Sequence, residues 1–251
     1  MEHIKIINDE TLENPLEERP QYLIVAEGIK NSILMGKFKL GDKLPSEREM
    51  AKHFNVGRPT IREAVRSLEI SGLLETKRGN GTFITNHTQM VMSDHLQLIS
   101  SLNNVSVREI IEYREMFETK TVALAATHRE EDELPELYAC LEGIQRAKNY
   151  DEVREADFRF HESIAKMAHN ILISENFAAM NHFFEDSINN SATEIPNFGE
   201  TYKDIAHYHL PIYESIRDQD PEVAMLFMRR HMDRIWHFHE TKQLSKNTIR
   251  E

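Results

Sequence analysis

The stretch Leu44–Ile84, LPSEREMAKHFNVGRPTIREAVRSLEISGLLETKRGNGTFI, decides the fold. Ser46 and Glu49 have the spacing of a capping box, in which each side chain satisfies a free backbone donor of a first helical turn. Met50, Ala51 and Phe54 carry that helix inward, and Asn55-Val56-Gly57 breaks it. A further helix follows with Ile61, Ala64, Val65 and Leu68 at i, i+3, i+4 and i+7, one apolar face of a 3.6-residue period. Two helices joined by so short a turn make a helix-turn-helix. Arg58, Arg62 and Arg66 stand at i, i+4 and i+8 beside the apolar face. With the apolar face seated on its partners, the arginines look outward, next to a helix start whose N–H groups and dipole suit phosphate. Arginine can bond guanine in a bidentate fashion or pair with phosphate, so this face is where a duplex would lie.

After Gly72 the period changes. Residues 73–77 and 82–85 alternate as strands, separated by Arg78-Gly79-Asn80-Gly81, in which Asn-Gly is a hairpin signal. A basic hairpin after a helix-turn-helix is a wing. Upstream, Leu23, Ala26, Ile29, Ile33 and Leu34 place a first helix before Gly36, a residue suited to the left-handed position after a helix end. Residues 1–20 lack periodicity and read as a mobile leader. Residues 21–86 are thus expected to form a winged helix-turn-helix of three helices and a β-hairpin.

The charge distribution agrees. The chain of 251 residues has a formal net charge of -12. Residues 21–87 hold 11 Lys and Arg against 7 Asp and Glu, a balance of +4, which leaves the remainder, with 19 basic and 35 acidic residues, at -16. A basic module on an acidic body fits a head that meets a polyanion and a body that the polyanion repels. A single cysteine, Cys140, excludes an internal disulfide, no apolar run approaches a membrane span, and the polar, acidic N-terminus is neither a secretory signal nor a transit peptide. The expected location is the cytoplasm, with no membrane partner.

Residues 87–105 are read as a linker that packs through Leu96, Leu98 and Ile99. Beyond it strand signals vanish. A capping box at Ser106 and Glu109 opens a long helix to about His128, and helices are expected near 132–148, 151–168, 171–190, 200–218 and 221–242. Residues 106–245 therefore read as an antiparallel all-helical bundle, which makes the chain mainly α.

Within that bundle Asp157 and His161 stand at i, i+4, on one face with Ile164, Ala165 and Ala168. His209 shares a face with Ile212, Tyr213 and Ile216, and His231 with Ala224, Phe227, Met228, Ile235 and Phe238. One carboxylate and three imidazoles on apolar stripes are costly unless paired. A divalent metal would satisfy all four, and three nitrogens with one oxygen suit zinc or nickel, with manganese a further candidate. The spacing equally allows an Asp–His pair and two hydrogen-bonded core histidines. Arg114, in EYREMFE, is either a bidentate partner for a carboxylate or half of a surface pair with Glu118.

The quoted stretch closely resembles the winged-helix domain of GntR-type bacterial transcription regulators, and residues 107–238 look like the FCD effector domain of that family's FadR-type branch. On matching positions the resemblance implies DNA contacts from Arg48, Arg58, Thr60 and Arg62 and from the wing tip at Gly79 and Gly81. It implies a metal held by Asp157, His161, His209 and His231, carried by D-x-x-x-H, by HLPIYESIRDQDPEVA from His209 and by MRRH ending at His231. It also implies that Arg114 and the metal hold a small organic-acid or sugar-acid effector. The chain departs from the family at Gly57, where a Ser or Thr hydroxyl often grips phosphate, and at Pro211, two residues after a ligand position. The expected protein is a ligand-responsive homodimeric regulator of double-stranded operator DNA, a repressor released by its ligand. A metalloenzyme using the same Asp/His3 site is the rival; it leaves the N-terminal half unexplained, and no HExxH is present.

Overall fold

The computed structural model describes residues 19–189 and 198–248. Residues 1–18, most of the expected leader, and the side chain of Phe238 lie outside them. The chain divides into two compact units, residues 1–92 and 93–251.

The first unit holds α1 (Gln21–Leu34), α2 (Glu47–His53), α3 (Arg58–Ile70), β1 (Leu74–Lys77) and β2 (Gly81–Ile84). The capping box at the start of α2 is complete: Ser46 Oγ accepts from Glu49 N, and Glu49 Oε2 accepts from Ser46 N at 2.8 Å. The break before α3 is made by Asn55, which takes a positive φ of 53° and turns the chain within three residues. Asn tolerates that region better than most side chains. Val25, Ile29, Met50, Ile61, Ala64, Leu68, Leu74 and Ile84 form the core of the unit. Packing between α1 and α3 and between α2 and α3 seats α3 by its apolar face.

The wing is antiparallel, with Leu74 opposite Ile84 and Lys77 opposite Gly81. Its turn differs from the Asn-Gly expectation. Asn80 N donates to Lys77 O at 2.9 Å, so Arg78 and Gly79 are the central residues, and the positive φ falls on Gly79 at 76° rather than on Asn80. A turn with positive φ at its third residue favours glycine there. Gly81, φ 109°, starts β2, where a Cβ would come within 2.6 Å of the Lys43 side chain. Backbone bonds from Leu44 N to Thr82 O (2.8 Å) and from Ile84 N to Asp42 O (2.9 Å) lay a third extended segment along β2.

Residues read as a linker form a helix, α4 (Thr88–Asn103). Of the three apolar residues expected to pack, Leu96 lies against Ile110, Met180, Phe183 and Phe184, whereas Leu98 and Ile99 are each 56% exposed. The second unit continues with α5 (Val107–His128), a 3-10 turn at Glu131–Glu133, α6 (Leu134–Arg146), α7 (Tyr150–Met167), α8 (Ile171–Asn189), α9 (Phe198–Arg217) and α10 (Pro221–Thr248). Ser106 and Glu109 cap α5, Asn149 caps α7, and Asp220 Oδ1 accepts from Val223 N to cap α10. Helix α5 packs on α7, α9 and α10, and α6 packs on α7 and α9. Val122, Leu137, Leu141, Phe160, Ile164, Ile212, Ile216 and Met228 fill the space between them. Among the described residues, the regular structure of both units is helical but for the wing and the segment bridged to it, as expected.

Candidate nucleic-acid interface and metal centre

On the first unit, Arg48, Arg58 and Arg62 are exposed, Thr60 is half-buried, Gly79 is exposed at the wing tip and Gly81 is half-buried at its base. Gly57 occupies the N-cap of α3 without a side-chain cap, so the first-turn N–H groups of α3 are left to solvent or to an anion. The Arg58 and Arg62 side chains are 60% and 53% exposed, and neither is locked inside. The structure adds an acid that spacing did not reveal. Glu47, at the first position of α2, places Oε2 3.3 Å from Arg58 Nη2 and 3.5 Å from Arg62 Nη1. The two arginines thus share one carboxylate, eleven and fifteen positions away in sequence, a pairing created by the crossing of α2 and α3. Lys43 and Lys77 flank the Phe83 ring on the wing, 5.9 and 5.5 Å from its centroid, adding positive charge to the hairpin.

In the second unit α7, α9 and α10 bring the four metal candidates together. One donor atom from each of Asp157, His161, His209 and His231 lies within 4.8 Å of every other. Asp157 Oδ1 is 2.9 Å from His209 Nε2 and 3.9 Å from His161 Nε2, so its tighter partner sits on another helix, not one turn along its own. The Nε2 atoms of His161 and His209 are 3.3 Å apart. All three imidazoles are buried, with the Phe160 ring edge-on to His209 at 4.9 Å as an apolar wall. Pro211 sits inside α9, and the helix continues through it.

The electrostatics of the cluster follow from this burial. Burial opposes charge on Asp157, yet the His209 hydrogen bond and the neighbouring imidazoles outweigh it and hold the carboxyl far below its usual range. Burial lowers His231 well below the ordinary imidazole value, so the ring is neutral, a state in which a nitrogen lone pair is available. Its Nε2 is buried with no hydrogen-bond partner. An unpaired buried nitrogen costs about 1–3 kcal/mol, and the donors around it are of the kinds that could hold a metal ion. Of the histidines in the alternative reading, His209 has its hydrogen-bond contacts, whereas His231 leaves Nε2 without one. By the chemistry of its donors, the residue set fits a divalent ion.

Arg114 lies on α5, 11% exposed, with Nε against Glu118 Oε1. Its partner is the one that spacing suggested, but the pair is buried, which removes the surface-pair reading. The guanidinium also stands over the Phe184 ring at 5.7 Å. Glu118, 3% exposed, turns Oε2 to His161 Nδ1, an approach close in distance but off the line of an ideal N–H bond. Burial alone would raise the Glu118 carboxyl; Arg114 and His161 overcome that and bring it down to about 2. Sequence reasoning missed this role, though a signal existed. Ile111, Glu118, Val122 and Ala125 are spaced seven, four and three apart, which places Glu118 on the buried stripe of α5.

Residues 21–84 match the family described as bacterial regulatory proteins, gntR family, and residues 109–234 match the FCD domain. Over 148 residues the chain is 32% identical to the HTH-type transcriptional regulator LutR of Bacillus subtilis (strain 168), a match covering 59% of this chain and 66% of that protein. It is 30% identical over 211 residues to the uncharacterized HTH-type transcriptional regulator YcbG of the same strain, covering 83% of this chain and 85% of that one. Among solved structures, Streptococcus agalactiae GntR is similar with a TM-score of 0.65 and 26% identity, over 84% of this chain and 96% of that chain.

Proposed function

Since the chain belongs to the gntR family of bacterial regulatory proteins and is a DNA-binding transcription regulator with an FCD effector domain, we propose that it senses a small organic acid or sugar acid at a divalent ion and thereby controls its grip on operator DNA. One observation carries the sensing half: a buried, partnerless His231 Nε2 beside the donors of Asp157, His161 and His209. Those four residues would hold the ion, zinc or nickel before manganese. A bound ion would supply a Lewis-acid point to which a carboxylate oxygen can attach. Arg114 is the proposed second hold on that acid, because a guanidinium matches a carboxylate in a bidentate way.

For the DNA half, Arg58 and Arg62 read base edges or phosphates from α3, Arg48 and Thr60 hold the backbone, and Gly79 and Gly81 let the wing approach a groove. A homodimer would set two copies of α3 on the half-sites of a palindrome, about one helical turn apart. A ligand changes DNA affinity only if it prefers one arrangement of that dimer. The sign proposed is repression relieved by ligand, and the location is the cytoplasm, where the operator is. Among the described residues no helix is long and apolar enough to cross a membrane. The metalloenzyme rival finds no support in the matched domains, which are those of transcription regulators.

The test combines metal analysis and thermal shift. Purified protein should carry up to one equivalent of divalent ion per chain, and His209→Ala with His231→Ala should remove most of it. With zinc present, one acid from a panel of organic acids and sugar acids should raise the Tm and release a selected operator duplex. Equal metal content in wild type and variant defeats the metal reading. Hydrolysis of an ester or carboxylate conjugate that disappears in the variant would restore the enzyme.

A further inference from the structure

We infer that Glu118 is the positioning residue of the metal cluster, one carboxylate bridging Arg114 on one oxygen and His161 Nδ1 on the other so that His161 offers Nε2 to the remaining donors. The inference rests on the metal reading above. Three observations carry it. Glu118 and His161 are 3% and 1% exposed, so water does not compete for either group. Each Glu118 oxygen faces its own basic neighbour, Oε1 the Arg114 Nε and Oε2 the His161 Nδ1, the second within ion-pair distance but off the line of a hydrogen bond. And His161 Nε2 faces Asp157 and His209 from the opposite edge of the ring.

For a His161 that ligates a metal, the chemistry then allows one arrangement. A carboxylate paired with a guanidinium can only accept, so the imidazole nitrogen facing it must carry the proton. A neutral imidazole has one N–H, and with that proton on Nδ1 the Nε2 lone pair points into the cluster. Carboxylates that hold a ligating histidine in this way fix its tautomer and orientation and raise its basicity. Arg114 keeps Glu118 ionised in a place where an unpaired charge would be expensive. Arg114 is therefore tied to the metal site whether or not an acid is bound. A ligand that draws on the guanidinium acts on the carboxylate that orients His161.

The experiment titrates metal-free wild type, Glu118→Gln and Glu112→Gln with zinc(II) against a competing chelator. Glu112 is the control, an exposed acid on the same helix paired with Arg108. Glu118→Gln should weaken zinc binding roughly 10–100-fold, the range for loss of such a partner, and Glu112→Gln should leave it unchanged. If wild type binds no zinc, or if His209→Ala with His231→Ala binds it equally well, the metal reading falls. If the histidines are required and Glu118→Gln binds like wild type, this inference falls alone. Glu118→Gln strands the buried Arg114 guanidinium and can fail to fold, so a second measurement uses wild type. Long-range proton–nitrogen NMR of the zinc-loaded protein should show His161 protonated at Nδ1 and metal-bound at Nε2. Zinc on Nδ1 overturns the inference whatever the variant does.

Discussion

Replacing Arg58 and Arg62 by alanine should reduce binding to a specific duplex to the level of arbitrary DNA while leaving the fold intact. Both halves of that statement can be sized. In the free protein each side chain is more than half exposed and makes one ion pair with Glu47, at 3.3 and 3.5 Å. Exposed pairs of this kind are worth about 0.2–1 kcal/mol each. The residues that seat α3, namely Ile61, Ala64, Val65 and Leu68, lie on its other side and are untouched. On DNA the balance reverses. A good bidentate arginine contact discriminates by ~1–3 kcal/mol, so two arginines in each of two half-sites represent ~4–12 kcal/mol before losses. Releasing the Glu47 pairs takes back at most ~1 kcal/mol apiece. Four such pairs in a dimer take back at most ~4 kcal/mol, so a mid-range gain of ~8 kcal/mol still leaves ~4 kcal/mol, about a thousandfold in affinity and the lower edge of the usual specificity ratio. The assay is fluorescence anisotropy, at fixed salt, on a duplex recovered by selection from random-sequence DNA, with circular dichroism as the fold control. Undiminished affinity in a folded double variant would refute the placement of DNA on this face.

Other consequences can be checked on the same protein. Ser46→Ala should cost ~1 kcal/mol at neutral pH through loss of the α2 cap. The Glu49 carboxyl is held below its ordinary 4.5 by the hydrogen bonds from Ser46, so its contribution is complete above that value and is lost as pH falls below it. In urea titrations the gap between wild type and Ser46→Ala should therefore close in acid; a gap that widens would contradict the capping box. Gly72→Ala forces a side chain into φ 73° and puts its Cβ 2.7 Å from the His87 carbonyl carbon, whereas Gly36→Ala, at φ 71°, meets nothing within 4 Å. Both should lose the ~1–2 kcal/mol of a left-handed L residue, and Gly72→Ala should lose more because backbone must move; equal losses would refute the close approach. Chelation of the purified protein should lower its Tm by mass action, with readdition of zinc restoring it, and an unchanged Tm would count against a structural contribution from the ion.

The DNA-binding unit was legible because its signals are local. The Ser46–Glu49 box, the Ile61–Leu68 stripe and the glycine-rich tip each fall within a few residues, and the box, the stripe and the hairpin appear in the structure where spacing put them. The turn at the wing tip was misplaced by two residues, since Arg78-Gly79 and Asn80-Gly81 both offer a glycine and only the strand register chooses between them. Helix α4 was missed because its two outward residues, Leu98 and Ile99, and its inward one, Leu96, give a weak period. The metal candidates were reachable one helix at a time through the apolar stripes on which they stand. Which donors pair was not, because the 2.9 Å contact from Asp157 to His209 links helices separated by a long stretch of chain.

The two acids whose double pairing the sequence did not reveal play opposite energetic parts. Glu47 and Glu118 each serve two basic partners, but Glu47 does so in water and Glu118 in the core. In water, an ion pair is close to neutral in free energy, so Arg58 and Arg62 can exchange Glu47 for phosphate or a base edge at small cost. In the core, removing one member leaves a buried charge behind, at about 3–5 kcal/mol, so Arg114, Glu118 and His161 hold or yield together. The same pairing chemistry thus gives the first unit interchangeable contacts and the second a fixed geometry. A face that must give up its own carboxylate to meet DNA needs the former, and the proposed metal and acid site needs the latter.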